Sequence, residues 1–202
     1  MALTQVNQTF ELREILLRNR PNALYKISSK ATVPVIHNIN GSIIDESIDI
    51  MKWALINGSD IYKLNEQLSM IELIDTDFKF WLDKYKYFDR FPEESQHYYR
   101  ERASSLLNSI EESLNNKNYI LGSNCQLVDI AIFPLIRQFI NVDTNWFGDK
   151  FKNIYEWYKN ITDSSIFKSV MDKNEIWEEG KEPILINFFE LDNTEKLILQ
   201  TP

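Results

Sequence analysis

The sequence predicts a protein of two parts, in which a small mixed α/β layer precedes an all-helical domain. Segments before residue 60 are short and rich in β-branched residues, whereas apolar residues after it recur with helical spacing. The 202 residues are enough for one large domain or two small ones. Five glycines and six prolines leave little room for long flexible linkers. We therefore expect two packed parts joined by a short connector.

The N-terminal part is predicted to run strand, helix, strand, strand, helix. In order, these elements cover residues 9–15, 23–27, 32–39, 42–45 and 47–55. Asn40-Gly41 separates the second strand from the third, and this dipeptide is typical of a tight hairpin in which both central positions need positive φ. Glu46 and Ser47 stand where the last helix begins, since serine is a favoured N-cap residue. The pattern thus predicts a hairpin that leads directly into a helix.

The C-terminal part is predicted to be a helical bundle around one very apolar helix. Apolar positions recur with helical period over residues 65–85, and again from Tyr99 to Leu114. Residues 127–139 (LVDIAIFPLIRQF) are nearly all apolar, so this helix should lie buried in the bundle, kinked by Pro134. Shorter helices are expected around residues 151–161 and 165–173.

The composition excludes several classes of function. The chain carries 22 basic and 30 acidic residues, a net charge of -8, and its pI is near 4.9. Binding to duplex nucleic acid or to anionic lipid needs a basic face, so neither nucleic acid nor membrane is expected as a partner. A single cysteine, Cys125, excludes an internal disulfide and fits a reducing compartment. Because the sequence shows no signal peptide and no apolar run of about 18 residues, we expect a soluble cytoplasmic protein.

The usual sequence signatures of catalysis and metal binding are absent. His37 and His97 lie far apart, in different halves of the chain, which disfavours a shared metal ion. Cys125 precedes the apolar helix and is expected to be a small buried residue rather than a nucleophile. The sequence therefore predicts no metal site and assigns no catalytic residue.

One short region is suited to hold an extended peptide. Val33-Pro34 begins a strand, and Glu46-Ser47 begins a helix 13 residues later. A cis proline would turn the Val33 backbone outward, and a bound peptide would add to that edge as an antiparallel strand. The helix N-terminus at Ser47 suits a carboxylate, and the Glu46 side chain suits an ammonium. Two interpretations stay open here: a site for a small zwitterionic peptide, and an ordinary βαββα layer in which Ser47 only caps its helix.

Two segments of the chain resemble the glutathione S-transferase family. Residues 11–55 (ELREILLRNRPNALYKISSKATVPVIHNINGSIIDESIDIMKWAL) look like its glutathione-binding domain, with the bacterial and omega-like group nearest in pattern. Residues 121–139 (LGSNCQLVDIAIFPLIRQF) look like an element of its helical domain. The resemblance implies an α+β/α fold, with a partial thioredoxin-like N-terminal domain at residues 1–58 and an all-helical glutathione S-transferase C-terminal domain at residues 65–180. Residues 181–202 are then a tail of uncertain structure.

The same resemblance implies that glutathione binds as co-substrate, beside a pocket for an apolar electrophile or a disulfide. Val33 would pair its backbone with the cysteinyl part, next to cis-Pro34. Glu46 would hold the γ-glutamyl ammonium, and Ser47 the carboxylate beside it. Arg20 would bind the glycyl carboxylate, for which its forked guanidinium is suited. The implied activity is conjugation of glutathione to an electrophile or thiol transfer, in a homodimer; the alternative is a non-catalytic binding or regulatory protein of the same fold.

The chain departs from the family pattern at its start. Met1-Ala2-Leu3 matches the last turns of the family's first helix, so the first strand and the turn that carries the thiol-activating residue are expected to be missing. No residue can then be given the activating role, and the sheet would expose an edge. The apolar tail segment at residues 184–189 (ILINFF) is a candidate strand to fill that gap. At the apolar helix, Asp129 keeps the N3 position of a capping box that begins at Gln126.

Overall fold

The computed structural model describes residues 1–56 and 63–186. The N-terminal elements are, in chain order, helix α1 (Ala2–Gln5), strand β1 (Phe10–Leu12), helix α2 (Asn22–Ile27), strands β2 (Ile36–His37) and β3 (Ile43–Ile44), and helix α3 (Ser47–Ile56). They are followed by helix α4 (Leu64–Leu73), a π-helical turn (Ile74–Phe78), helix α5 (Lys79–Lys86), a 3₁₀ turn (Phe88–Arg90), helices α6 (Gln96–Ser105), α7 (Asn108–Ser113), α8 (Leu127–Ile140), α9 (Thr144–Lys150), α10 (Lys152–Asp163) and α11 (Ser165–Ser169), and strand β4 (Ile184–Ile186). These residues form two compact units, one of residues 1–56 and 165–186 and the other of residues 63–164.

The order β1-α2-β2-β3-α3 confirms the predicted succession of elements. The hairpin strands are shorter than predicted, since β2 and β3 pair over two residues each. Gly41 has a φ of +83°, whereas Asn40 is not among the described residues with positive φ. The Gly41 N–H donates to the Asn38 carbonyl oxygen at 2.9 Å. The connection is therefore a three-residue loop closed by a left-handed glycine, not the two-residue turn that the dipeptide predicted.

The tail contributes strand β4, which pairs antiparallel with β1. Phe10 lies opposite Ile186, and Leu12 lies opposite Ile184. The described strands thus form two separate two-stranded sheets, β1–β4 and β2–β3. Of the predicted strand at residues 184–189, the first three residues form β4, and residues 187–189 lie outside the described part of the chain.

Contacts around Trp177 join the tail to the N-terminal unit. The Trp177 N–H donates to the Glu14 carbonyl oxygen at 2.8 Å, and the Arg13 guanidinium lies 4.9 Å from the centre of the indole ring. A cation over an aromatic face adds an electrostatic attraction to the backbone pairing. Residues 165–186 therefore group with the N-terminal residues, which differs from the expected helical domain of residues 65–180. The difference arises because helical periodicity carries no information about pairing between distant strands.

Each of the two long helices predicted for the helical unit is broken into two shorter helices. Helix α4 passes through the π-helical turn into α5, and Ile74 and Phe78 in that turn are fully buried. Helices α6 and α7 replace the continuous helix expected over residues 99–114. Between them, the N–H groups of Leu106 and Leu107 donate to carbonyl oxygens three residues earlier, the tighter bonding of a 3₁₀ turn. The apolar side chains still face the core, because these local changes keep the helical spacing nearly intact.

Helix α8 is the buried centre of the helical unit, as predicted. Nine of its 14 residues are buried, and Pro134 lies inside the helix without ending it. Among the residues that the structure describes, neither this helix nor any other is long and apolar enough to cross a membrane.

Side chains satisfy the N–H groups in the first turn of α8. Asp129 accepts a hydrogen bond from the Gln126 N–H at 2.8 Å, as its N3 position predicts. Gln67, fully buried on α4, accepts one from the Val128 N–H at 2.9 Å. Because buried N–H groups without partners are destabilising, these two acceptors allow the start of α8 to lie inside the unit.

Helix α10 takes its cap from a different helix. The two carboxylate oxygens of Glu111, on α7, accept hydrogen bonds from the N–H groups of Asn153 at 3.0 Å and Ile154 at 2.9 Å. We expect Glu111→Ala to lower the free energy of unfolding by about 1–2 kcal/mol, because both N–H groups at the positive end of the helix lose their acceptor. Urea denaturation measures this change. Glu112→Ala removes an exposed carboxylate from the same helix and should change stability far less; an equal loss in both variants would contradict the capping role.

Candidate functional site

The β2–β3 hairpin brings its two flanking segments together at its open end. Ile36 pairs with Ile44, so Pro34 and Glu46 each lie two residues beyond the last pair of the hairpin. The peptide bond between Val33 and Pro34 is cis, as the resemblance implied. Val33 is 44% exposed, and no described residue hydrogen-bonds its backbone. A short backbone segment is thus open to an incoming chain beside the start of α3.

The start of α3 lies at Glu46 and Ser47, as the sequence predicts. The Ile50 N–H donates to the Glu46 carbonyl oxygen at 2.9 Å, which makes Glu46 the residue before the first turn. Ser47 is exposed, and no described residue forms a hydrogen bond with its hydroxyl. The first N–H groups of a ten-residue helix carry a partial positive charge, so this end attracts a carboxylate.

Glu46 already has a cationic partner, Lys30. The Lys30 Nζ donates to Oε1 of Glu46 at 2.6 Å and lies 4.0 Å from Oδ2 of Asp45. The hydrogen bond to Glu46 and the nearby charge of Asp45 raise the pKa of Lys30, so its ammonium remains charged. The sequence analysis missed this pair, because 16 positions separate its members and no local pattern marks such a contact.

Arg20 takes part in none of these contacts within the described chain. It follows a tight turn in which the Asn19 N–H donates to the Leu16 carbonyl oxygen at 2.9 Å, and its side chain is exposed. Within the described chain it makes no hydrogen bond or ion pair. Val33, Pro34, Glu46 and Ser47 thus all lie just beyond the paired residues of the hairpin, and Arg20 lies elsewhere in the sequence of the same unit.

The helical unit matches a known family. The sequence model of the glutathione S-transferase C-terminal domain matches residues 73–164. This match lies wholly inside the unit formed by residues 63–164. No curated protein sequence matches the chain.

Solved structures share the fold of both units. The glutathione transferase URE2P6 from Phanerochaete chrysosporium, solved with oxidised glutathione, gives a TM-score of 0.67 at 14% identity, over 84% of this chain and 86% of that one. A family member from Pseudomonas fluorescens, with two glutathione bound, gives 0.66 at 17% identity, over 83% and 84%. A glutathione transferase from Pseudomonas putida, with one glutathione disulfide bound per subunit, gives 0.66 at 17% identity, over 83% and 82%.

These comparisons confirm the predicted fold class, a thioredoxin-like N-terminal layer followed by an all-helical domain. At such low identities the solved structures show similarity of fold alone. The match to the domain model shows similarity of sequence. Residues 73–164 therefore match a glutathione S-transferase C-terminal domain, and the chain is similar in fold to solved glutathione transferases.

Proposed function

We propose that the protein binds glutathione at the open end of the β2–β3 hairpin and acts as a glutathione transferase. One observation carries the proposal: Val33, whose backbone forms no hydrogen bond with a described residue, and the start of α3 at Glu46 and Ser47 flank the same end of the β2–β3 hairpin. This arrangement supplies one peptide edge, one anion site and one cation site, the three features that a zwitterionic tripeptide requires. The related structures crystallised with glutathione support the same ligand.

Each end of glutathione has a complementary group in the proposed site. The cysteinyl backbone pairs with Val33 as a short antiparallel strand, next to Pro34. The γ-glutamyl carboxylate accepts from the Ser47 hydroxyl and the helix N–H groups, and the adjacent ammonium lies against Glu46. Arg20 binds the glycyl carboxylate through two parallel N–H groups.

The proposed chemistry belongs to the glutathione sulfur. Its thiolate attacks an apolar electrophile and displaces the leaving group, or attacks a disulfide and releases the other thiol. The thiolate is the reactive form, so binding has to stabilise it over the thiol. The proposal assigns residues that hold glutathione and assigns none that activates the sulfur. We further propose that the protein acts as a homodimer in the cytoplasm. Its single cysteine fits such a reducing compartment.

Titration calorimetry of the full chain with glutathione tests the site. Ser47→Ala and Glu46→Gln should each weaken binding by about tenfold or more, because the first removes a hydrogen bond to the ligand carboxylate and the second removes the negative charge opposite the ligand ammonium. Ser29→Ala changes an exposed serine in the same unit and should leave the affinity unchanged. If both site variants bind glutathione as tightly as the wild type does, the assignment is wrong.

The pairing of Glu46 with Lys30 favours a second candidate, a binding or regulatory protein of the same fold that holds no glutathione. Absence of binding by the wild-type chain would support this candidate. Binding without turnover of an aryl halide or a small disulfide would show a protein that holds glutathione without catalysis.

A further inference from the structure

The backbone of Lys30 lies in a hydrogen-bonded turn that follows helix α2. Helix α2 ends at Ile27, and the Ala31 N–H then donates to the Ser28 carbonyl oxygen at 3.1 Å. Ala31 is 1% exposed and has a φ of +48°, so packing holds this turn in a conformation that alanine rarely adopts. The Lys30 side chain therefore starts from a fixed point, directly before the segment that leads to Val33.

The ammonium of Lys30 lies where the proposed function requires the ammonium of the ligand. Its Nζ is 2.6 Å from Oε1 of Glu46, the distance of a close charge-assisted hydrogen bond. The same Nζ is 4.0 Å from Oδ2 of Asp45, a second carboxylate to which a small movement of the flexible side chain would carry it. One cation thus faces two acceptors, and one of the two is the proposed ligand-binding carboxylate.

We propose that Lys30 is an internal competitor for the ligand ammonium: it occupies Glu46 in the ligand-free protein and moves to Asp45 when a zwitterionic ligand binds. This inference rests on the proposed function. Binding is then an exchange of cations at Glu46, so a ligand that carries an ammonium has to displace Lys30. A ligand that lacks the ammonium leaves the Lys30–Glu46 pair intact.

The size of the effect follows from the exposure of the pair. The side chains of Lys30 and Glu46 are 57% and 52% exposed, so water and salt screen their attraction. Exposed pairs of this kind shift an equilibrium by roughly 1.5- to 5-fold. The competition therefore tunes the affinity for the ligand without preventing binding.

Calorimetry on the full chain tests the proposal with two ligands, glutathione and the same tripeptide in which hydrogen replaces the ammonium. Lys30→Met should bind glutathione roughly 1.5- to 5-fold more tightly than the wild type, and should bind the analogue no more tightly. Lys26→Met, an exposed lysine on α2, is the matched control and should change neither affinity. Thermal unfolding verifies that each variant is folded.

Asp45→Asn provides the opposite test. Removing the second acceptor should weaken glutathione binding by a similar factor in the wild-type background. The same change should have a smaller effect in the Lys30→Met background. Unchanged or weaker binding of glutathione by Lys30→Met, or an equal gain for both ligands, overturns the competitor role while the proposed site stands. If the wild type and Lys30→Met both fail to bind glutathione, the proposed function fails and this inference fails with it.

Discussion

Replacing Asp129 with alanine should lower the free energy of unfolding by about 3–5 kcal/mol, because three buried donors lose their shared acceptor. Besides the N–H of Gln126, the carboxylate of Asp129 accepts hydrogen bonds from the Ile120 N–H at 3.0 Å and from Nε1 of Trp157 at 2.9 Å. It is fully buried, so water cannot replace it. One side chain therefore joins the loop before α8, the first turn of α8, and α10.

Denaturant unfolding at neutral pH measures the loss, and Asp149→Ala is the matched control. Asp149 is exposed near the end of α9, so its removal should change stability by less than about 0.5 kcal/mol. A loss below 1 kcal/mol in Asp129→Ala would mean that the neighbouring donors find other partners, and would contradict the joining role.

The stability contributed by Asp129 should also depend on pH. Burial raises the pKa of Asp129 to about 6, from 3.8, although the donors from Ile120, Gln126 and Trp157 favour the charged form. The folded chain therefore binds a proton between these two pH values that the unfolded chain does not bind. Stability from this group is fully present below pH 3.8 and falls as pH rises through 6. Relative to Asp129→Asn, the wild type should gain stability as pH falls from 7 to 4; a constant difference would contradict the raised pKa.

Replacing Phe139 with alanine should be similarly damaging, at about 3–5 kcal/mol, because its ring is the centre of an aromatic cluster. The ring centroid lies 5.1 Å from Tyr85, 5.4 Å from Phe78, 5.7 Å from Phe147 and 6.1 Å from Trp146. Most of these rings meet edge to face, which is the favourable orientation. Truncation removes contacts with α5, α9 and the π-helical turn at once, and leaves a cavity in a closely packed interior.

Two further variants make the Phe139 prediction specific. Phe139→Leu keeps much of the apolar volume and should lose less than the alanine variant. Phe88→Ala removes a ring that is 45% exposed and should cost less than about 1 kcal/mol. Urea unfolding measures the stability of all three variants. Equal losses in Phe139→Ala and Phe88→Ala would contradict the role of the cluster.

The sequence was a good guide wherever neighbours along the chain decide the structure. The hairpin and the helix that follows it occupy residues 36–56, in the order that the sequence predicts. The apolar run of α8 predicts burial, because no surface helix carries so few polar residues. The three-residue turn at Gly41 differs from expectation only in detail, since its type depends on the twist of both strands.

Contacts between distant residues needed the tertiary structure. Lys30 meets Glu46 across 16 positions, and Glu111 caps α10 across 42. Strand β4 joins β1 from the far end of the described chain, which moves residues 165–186 into the N-terminal unit. Each of these contacts is a hydrogen bond, an ion pair or a strand pairing. The residues that form them carry no sequence pattern that marks them as partners. Periodicity along the chain indicates which face of an element is apolar, but not which partner covers that face. For this protein the sequence by itself determined the order of the N-terminal elements and the burial of α8, whereas packing decided where the long helices break and which polar groups satisfy one another.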